Sequence, residues 1–219
     1  GNSLETFQKN IRMAENVTYL AENCEMKKLI LISSNAVYGV HRNHKIISES
    51  TPLYPDTYYS LSKFVAEKLL QMAFKKKNGE LVILRPSTLY GPNETIIPQT
   101  PSGFLKTYIN GGSVTLWGDG TELREFVYID DIVRLIANLV KRKFSGVLNI
   151  GGGTPRSYRN ALDIISDILK KDIIINSKQR TTEPVNKIYD LSLIRKLFPD
   201  FQFTSLEEGL ELTYNRTET

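Results

Sequence analysis

Apolar residues follow two patterns that alternate along the first 150 residues of the chain. At helical spacing lie Phe7, Ile11, Ala14, Thr18 and Ala21, which predict a helix over residues 4–25. Short continuous apolar runs at 29–32, 81–84 and 147–150 predict buried parallel strands. Further helices are predicted over residues 56–77 and from residue 130 to near residue 146. Such alternation is typical of an α/β fold with a doubly wound parallel sheet.

The rest of the sequence has a different character. Residues 91–120 are rich in Gly and Pro, and short strands are predicted at 114–116 and 126–129. A C-terminal part follows from residue 151, and its last helix is predicted to begin at the capping box Ser205-Leu206-Glu207-Glu208. The triple glycine at 151–153 lacks the Lys-Ser/Thr of a phosphate loop. It is interpreted as a turn.

Composition excludes several classes of protein. The 219 residues are 41% hydrophobic, enough for a sizeable core. No apolar run approaches the ~20 residues that cross a bilayer, so we expect no membrane partner and a cytoplasmic location. The single cysteine, Cys24, cannot form an internal disulfide, and no metal site is predicted. A net charge of +4, with one lysine cluster at 75–77, suits anionic small molecules better than nucleic acid.

Candidate chemistry centres on Tyr59 and Lys63. In a chain with 11 tyrosines, about one lysine is expected four residues after a tyrosine by chance, so the pair alone favours a surface aromatic beside a surface lysine. Its setting changes this balance. Ser34 follows the strand predicted at 29–32, at the carboxyl edge where ligands bind in such sheets. The edge places Ser34 beside the start of the helix that carries Tyr59.

These residue types suit proton transfer at a sugar hydroxyl. A free phenol has a pKa near ~10. For a tyrosine to act as a base near neutral pH, its pKa must therefore fall by about three units, or ~4 kcal/mol. A lysine ammonium one helical turn away could supply part of it. Ser34 could share the substrate oxygen, although a serine that merely caps a turn is the alternative.

At this point the sequence resembles the extended short-chain dehydrogenase/reductases, the nucleotide-sugar epimerase/dehydratase family. Asn10 matches the family's Asn in the preceding helix, whose backbone helps to hold a proton-relay water. With Asn10, Ser34, Tyr59 and Lys63, all four catalytic positions of the family are filled. The resemblance implies NAD or NADP as cofactor, with Lys63 on the nicotinamide ribose.

Further stretches match the same family in the same order. Residues 84–92 resemble the strand end that carries the nicotinamide-facing backbone, here at Pro86, and a sugar-contacting Asn, here replaced by Thr88. By resemblance, Arg124 in the stretch 118–131 binds the nucleotide diphosphate. Arg180 and Glu183 stand where the family has a second phosphate arginine and an acidic ribose contact. A surface salt bridge between these two residues is the equally weighted alternative.

The resemblance also implies a domain plan. Residues 1–150 correspond to part of a dinucleotide-binding Rossmann core, interrupted by substrate-region segments at about 91–123, and residues 151–219 are mainly substrate-binding. The family's glycine-rich cofactor loop is not in the sequence, so we expect weak or absent NAD(P) binding by this chain alone. We also expect an exposed apolar edge at residues 29–32, and therefore either a homo-oligomer or a missing N-terminal segment that covers it.

The predicted function is that of an NAD(P)-dependent nucleotide-sugar epimerase or 4-ketoreductase whose partner is a nucleotide-diphosphate sugar. The family's 4,6-dehydratases carry Asp-Glu after the catalytic hydroxyl residue, whereas Asn35-Ala36 stand here, which argues against dehydration. A non-catalytic nucleotide-sugar binding or assembly module is the alternative, and the intact tetrad argues against it. A nucleic-acid binder would show a basic and aromatic stripe, which the sequence lacks.

Overall fold

The computed structural model describes residues 3–40, 42, 45–75, 77–94, 99–180 and 183–217. Its helices are α1 Leu4–Asn23, α2 Tyr58–Phe74, α3 Pro101–Ile109, α4 Ile129–Lys141, α5 Tyr158–Leu169, α6 Ser192–Leu197 and α7 Leu206–Asn215. A short 3₁₀ helix spans Asn35–Tyr38. The strands are β1 Lys28–Ile32, β2 Glu80–Pro86, β3 Thr88–Tyr90, β4 Val114–Trp117, β5 Leu123–Arg124, β6 Phe126–Tyr128, β7 Gly146–Ile150, β8 Arg156–Ser157 and β9 Ile175–Lys178.

Within residues 1–150, the centre is a three-stranded parallel sheet in the order β1-β2-β7. Side chains alternate between its two faces. On one face Leu81 and Ile83 pack with Leu70 of α2 and Ala21 of α1. On the other, strand residues such as Leu84 pack with α4 and α6. Helices therefore cover both faces, and the predicted α/β, doubly wound parallel sheet of Rossmann type is confirmed.

Strand β1 lies at the edge of this sheet, as expected for residues 29–32, and it is less buried than its continuous apolar run predicts. It pairs only with β2 among the described strands, so one of its edges is free of backbone pairing. Its residues are half-buried, and Ile32 is 42% exposed. A continuous apolar run predicts a strand covered on both faces, but it does not tell whether the strand lies at the centre or at the edge of the sheet.

A second apolar cluster lies under the C-terminal part of the chain. It joins α3, α5 and α7 to β4 and β6, with Phe104, Leu162, Ile165 and Leu210 almost completely buried. Three small sheets border it: β3 with β6, β4 with β9, and β5 with β8. Helix α3 lies in the Gly- and Pro-rich region, for which no helix is predicted. Its Pro101 stands in the first turn, where a proline costs no hydrogen bond.

The predicted start of the last helix and the predicted glycine turn both have clear structural reasons. The Ser205 hydroxyl accepts a hydrogen bond from the Glu208 amide at 3.1 Å and starts α7 where the capping box predicts. In the triple glycine, a Cβ on Gly151 would lie 2.0 Å from a carboxylate oxygen of Glu125, and one on Gly152 would lie 2.0 Å from the Phe126 carbonyl oxygen. Close packing therefore requires glycine in this turn.

Lysines 75 and 77 follow the last residue of α2. Lys75 is the C-cap residue, and the Lys77 ammonium donates to the Glu22 carbonyl at 2.7 Å at the end of α1. Lys76, the middle residue of the predicted cluster, lies outside the described residues.

Candidate functional site

The N-terminus of α2 fixes the position of Tyr59. Thr57 caps the helix: its hydroxyl accepts from the Ser60 amide at 3.1 Å, and the Ser60 hydroxyl accepts from the Thr57 amide at 2.9 Å. This reciprocal capping box places Tyr59 in the first helical turn, with 39% of its surface exposed. Tyr59 is therefore held by an ordered backbone and accessible to a ligand.

Lys63 lies one turn further along α2 and reaches the carboxyl end of β1. Its ammonium donates to the Ile32 carbonyl at 3.0 Å and lies 5.8 Å from the centroid of the Tyr59 ring. Burial lowers the pKa of Lys63, and the nearby Glu67 carboxylate opposes this change. The fixed ammonium places positive charge near the phenol.

Ser34 follows β1 and is the N-cap residue of the 3₁₀ helix. Its hydroxyl accepts from the Ala36 amide at 3.2 Å, so the capping role considered from sequence is present. The hydroxyl donates to Asn35 Oδ1 over 3.4 Å, a long hydrogen bond that a substrate oxygen could replace. Capping and substrate contact are therefore compatible in this serine.

Asn10 joins α1 to α2, the helix that carries Tyr59 and Lys63. Its side-chain amide donates to the Ser62 hydroxyl at 3.2 Å, and that hydroxyl donates to the Tyr59 carbonyl at 2.8 Å. Ser62 directly precedes Lys63 in the sequence. Two hydrogen bonds therefore connect Asn10 with the backbone of Tyr59.

A buried ion pair lies beneath these residues. Glu67, which is fully buried, accepts from Arg85 Nε at 3.0 Å and from Arg85 Nη2 at 2.6 Å. The Ser33 hydroxyl donates to the same carboxylate, and Arg85 Nη1 donates to the Tyr38 hydroxyl at 2.8 Å. The network joins α2 to β2 and to both ends of the turn that contains Ser34.

Pro86 and Thr88 lie at the junction of β2 and β3. Pro86 ends β2 and pairs with Ile150, and Thr88 begins β3 and pairs with Phe126. Neither residue lines the cavity described next. Pro86 is buried and Thr88 is half-buried.

A cavity of about 360 Å³ brings together the three charged residues predicted for the substrate: Arg124, Arg180 and Glu183. The lining also includes Trp117 and Glu122. This volume lies within the range of small-ligand sites. Two guanidinium groups in one cavity can bind a diphosphate through charge-assisted hydrogen bonds.

Each arginine is held by protein groups. Arg124 donates to the Leu123 carbonyl at 2.9 Å and to the Val185 carbonyl, and its guanidinium carbon lies 5.4 Å from the centroid of the Tyr158 ring. Arg180 pairs with the carboxylate of Glu122 at 2.6 Å, and this bond raises the pKa of Arg180. Among the ion pairs of the described residues, Arg180 therefore has Glu122 as its partner, and the alternative of an Arg180–Glu183 bridge was wrong.

Four residues near the cavity and near Ser34 were not predicted as site residues from the sequence. Trp117 is 47% exposed and lines the cavity, and Glu122 holds Arg180. Asn35 and Tyr189 form a hydrogen bond of 2.6 Å next to Ser34. Each stands within or beside a stretch already singled out, so a scan of neighbouring polar and aromatic residues could have found them.

None of the helices in the described residues combines the length and the low polarity that crossing a bilayer requires. Among the same residues, no three His, Cys, Asp or Glu side chains come close enough together to hold a metal ion.

A helix-covered parallel sheet with serine, tyrosine and lysine at the carboxyl end of β1 defines a Rossmann-like α/β protein. The chain belongs to the NAD dependent epimerase/dehydratase family, whose model matches residues 1–151.

Individual relatives agree with this family. The chain is 29% identical over 214 residues to YtcB of Bacillus subtilis, described as an uncharacterized UDP-glucose epimerase. This match covers 94% of this chain and 66% of YtcB. The chain is also 29% identical over 211 residues to a UDP-glucuronate 4-epimerase of Thermodesulfobacterium geofontis, covering 94% of this chain and 64% of that protein. The chain thus spans about two-thirds of the length of these relatives.

A solved structure shows the same fold. UDP-glucuronic acid 4-epimerase from Bacillus cereus, in complex with UDP-glucuronic acid and NAD, superposes with a TM-score of 0.84 at 28% identity. The match covers 94% of this chain and 66% of that one.

Proposed function

We propose that this chain carries the catalytic and substrate-binding part of an NAD(P)-dependent nucleotide-sugar epimerase or 4-ketoreductase, with Tyr59 as the acid and base. The observation that carries the proposal is the 3.0 Å hydrogen bond from Lys63 to the Ile32 carbonyl. It holds an ammonium near the Tyr59 ring at the strand end that Ser34 follows. The family and its epimerase relatives support the same chemistry.

The nucleotide diphosphate is assigned to the cavity. Arg124 and Arg180 supply the positive charge that binds two phosphate groups, and Glu183 offers an acceptor for ribose hydroxyl groups. Trp117 gives an exposed aromatic face on which a nucleobase could stack. Arg180 and Glu183 come from the part at 151–219 that the sequence assigns mainly to substrate binding, so the cavity supports that division of the chain.

The cofactor is assigned to the carboxyl ends of β1 and β2. Lys63 supplies an ammonium at this edge, and Tyr59 supplies a phenol near it. The backbone at Pro86 would border the nicotinamide. These residues fit one end of a dinucleotide: a partly exposed phenol and a fixed ammonium match a ribose hydroxyl and its neighbouring ring. The chemistry that a bound NAD would supply at this edge is hydride transfer to and from the sugar carbon.

The side chains of this chain move the proton. Tyr59, as the general base, takes the proton of the sugar hydroxyl while that carbon loses its hydride, so the C–O single bond becomes a carbonyl. Lys63 and the N-terminal end of α2 stabilise negative charge on the Tyr59 oxygen. Ser34 hydrogen-bonds the reacting oxygen, and Asn10 holds the backbone of α2. In the reverse step Tyr59 returns the proton as hydride is delivered to the carbonyl carbon.

An epimerase would deliver hydride to the opposite face of a rotated keto sugar, and a reductase would release the oxidised cofactor each turn. Dehydration would need an acid and a base beside the sugar. Asn35 and Ala36, the residues after Ser34, carry neither. Epimerisation or reduction is therefore favoured over elimination of water.

The test is turnover by the protein in a context where the cofactor site is complete. The protein is incubated with NAD and, separately, with UDP-glucose, UDP-glucuronic acid and UDP-N-acetylglucosamine, and the products are resolved by NMR. For the 4-ketoreductase outcome, a UDP-4-keto sugar is supplied with NADH and NADPH. We expect one of these reactions to proceed and Tyr59→Phe to lower its kcat by at least ~100-fold with nearly unchanged affinity.

Tyr58→Phe is the control, because Tyr58 lies in the same helical turn and is 43% exposed. It should retain normal turnover. Binding of these sugars without any turnover would favour the non-catalytic module instead, and near-normal activity of Tyr59→Phe would remove the assignment of Tyr59.

We also propose that the chain self-associates through α1 and that it binds NAD(P) weakly when isolated. Met13, Tyr19 and Leu20 of α1 are each at least half exposed, and exposed apolar side chains on one helix favour association. Light scattering and fluorescence titration with NADH on the purified 219-residue chain test both points. A stable monomer, or micromolar NADH binding, would contradict them.

A further inference from the structure

Asn35 lies between Ser34 and a buried tyrosine. Its side-chain NH₂ group donates to the Tyr189 hydroxyl at 2.6 Å, and its Oδ1 accepts the long hydrogen bond from the Ser34 hydroxyl. Because an amide group is planar, fixing its nitrogen also fixes the direction of its oxygen. The side chain of Asn35 therefore determines where an acceptor for the Ser34 proton stands.

Tyr189 is well suited to anchor Asn35. Its ring belongs to the apolar cluster on the α4 face of the sheet, and only 6% of the residue is exposed. Its backbone amide donates to Glu125 at 2.9 Å, and its backbone pairs with Ile47. Burial raises the pKa of Tyr189, so its hydroxyl stays neutral and protonated over the working pH range.

The anchor also belongs to the segment that borders the cavity. Residues 185–189 run from the cavity to the turn that contains Ser34 and Asn35. The Val185 carbonyl accepts from Arg124, the Lys187 amide donates to the Leu123 carbonyl at 3.0 Å, and the Lys187 ammonium donates to the Gly39 carbonyl at 2.7 Å. One short segment thus contacts a proposed phosphate arginine and, through Tyr189, the residue beside Ser34.

We propose that Asn35 and Tyr189 are positioning residues that orient the Ser34 hydroxyl for the sugar oxygen. The inference rests on the proposed function, because it assigns Ser34 to the substrate. The Ala36 amide occupies one lone pair of the Ser34 oxygen, and Asn35 Oδ1 attracts its proton. Together these contacts restrict rotation about the C–O bond of the serine. Without them the hydroxyl would sample several directions, and fewer enzyme–substrate complexes would have reactive geometry.

The test is a double-mutant cycle of Asn35→Ala and Tyr189→Phe in the same context with a complete cofactor site, using UDP-glucose, UDP-glucuronic acid or the 4-keto sugar, whichever of these turns over. Each single variant should lower kcat about tenfold while KM changes less than about twofold. The double variant should be no slower than the slower single variant, because both substitutions remove one hydrogen-bonded unit. Rates are expressed per folded molecule.

Tyr128→Phe is the control, since it removes another buried tyrosine hydroxyl from the second apolar cluster. It should leave kcat unchanged. Unchanged kcat in Tyr189→Phe, or independent and additive losses in the cycle, would overturn the inference. A purely structural role would lower the melting temperature without changing kcat per folded molecule, which also contradicts it.

The variant Tyr59→Phe distinguishes a failure of the proposed function from a failure of the positioning role. If Tyr59→Phe retains full activity, the catalytic assignment fails whatever the cycle shows. If Tyr59→Phe is inactive while Asn35→Ala and Tyr189→Phe are normal, the proposed function stands and only the positioning role is lost.

Discussion

Glu67 and Arg85 form a two-point ion pair in the protein interior, with Nε–Oε1 and Nη2–Oε2 distances of 3.0 and 2.6 Å. Their side chains are 0% and 4% exposed. Removing two charges from water is costly, and the pair is tolerated because both groups find further hydrogen bonds, from Ser33 and to Tyr38. Glu67 lies one helical turn from Lys63, so α2 and the turn with Ser34 share one polar support.

Breaking this pair should strongly destabilise the protein. Glu67→Gln keeps the shape of the side chain but leaves the Arg85 charge without a buried counter-ion. We expect the free energy of unfolding to fall by about 3–5 kcal/mol, the usual cost of removing one partner of a buried pair. Urea denaturation followed by circular dichroism measures it.

Glu5→Gln is the control, because Glu5 forms an exposed pair with Lys9 at the start of α1. A surface pair contributes little, so the change should stay below about 0.5 kcal/mol. If Glu67→Gln cost less than about 1 kcal/mol, the network would not support the fold.

Local pattern predicted most of the sheet and its helices. Strands β1, β2 and β7 and helices α1, α2 and α4 follow from apolar periodicity, because each buries one face or both faces against the sheet. Helix α3 was not predicted, since its short apolar stretch lies in a region dominated by Gly and Pro. The half-buried state of β1 depends on strand order, which periodicity does not contain.

The charged residues of the cavity could be chosen from motifs, but their partners could not. Arg180 and Glu183 stand three residues apart, which suggests that they pair, yet the fold brings Arg180 to Glu122. In the same way Asn35 and Tyr189 are 154 residues apart and meet only because β1 and the C-terminal segment converge. Contacts of this range depend on tertiary structure, which one sequence does not reveal.

Arg124 should contribute strongly to nucleotide-sugar binding. Arg124→Leu removes a guanidinium that lines the cavity while keeping an apolar side chain against Tyr158. We expect the affinity for UDP-glucose or UDP-glucuronic acid to fall by about 2 kcal/mol or more, the effect of losing a charge-assisted hydrogen bond. Isothermal calorimetry on the chain measures it.

Arg159→Leu serves as the comparison, because Arg159 forms an exposed pair with Asp163 on α5 and does not line the cavity. Its affinity should match that of the unmodified chain. Equal affinity in Arg124→Leu as well would make Arg124 a structural residue only.

Gly152 should not tolerate a side chain. A Cβ there would lie 2.0 Å from the Phe126 carbonyl oxygen, a backbone atom that cannot move without disturbing β6. We expect Gly152→Ala to lower the free energy of unfolding by about 2 kcal/mol or more, as overpacking does. Gly111→Asn is the comparison: Gly111 has φ +74° and open space around it, and asparagine accepts this conformation. A loss as small as in Gly111→Asn would mean that the turn relaxes easily.

Lys187 should make stability depend on pH in the alkaline range. Only 7% of this residue is exposed, and its ammonium donates to the Gly39 and Arg42 carbonyls. Burial, with a smaller effect of the Arg124 charge, lowers the pKa of Lys187 from 10.5 to about 8, while Asp56 opposes this change. The unfolded chain therefore binds more protons than the folded protein between pH 8 and pH 10.5, so this group makes folding more favourable as pH rises through that window.

The effect can be isolated by comparing the unmodified chain with Lys187→Met in urea denaturation at several pH values from 7.5 to 10.5. The free energy of unfolding of the unmodified chain, relative to the variant, should rise with a slope of up to about 1.4 kcal/mol per pH unit, the value for one proton. Below pH 8 the difference should be constant, because Lys187 is then charged in both states. Lys9→Met, which replaces an exposed lysine, should follow the unmodified chain at every pH. A difference that stays constant from pH 8 to 10.5, or falls, would show that the Lys187 ammonium is as stable in the folded protein as in water.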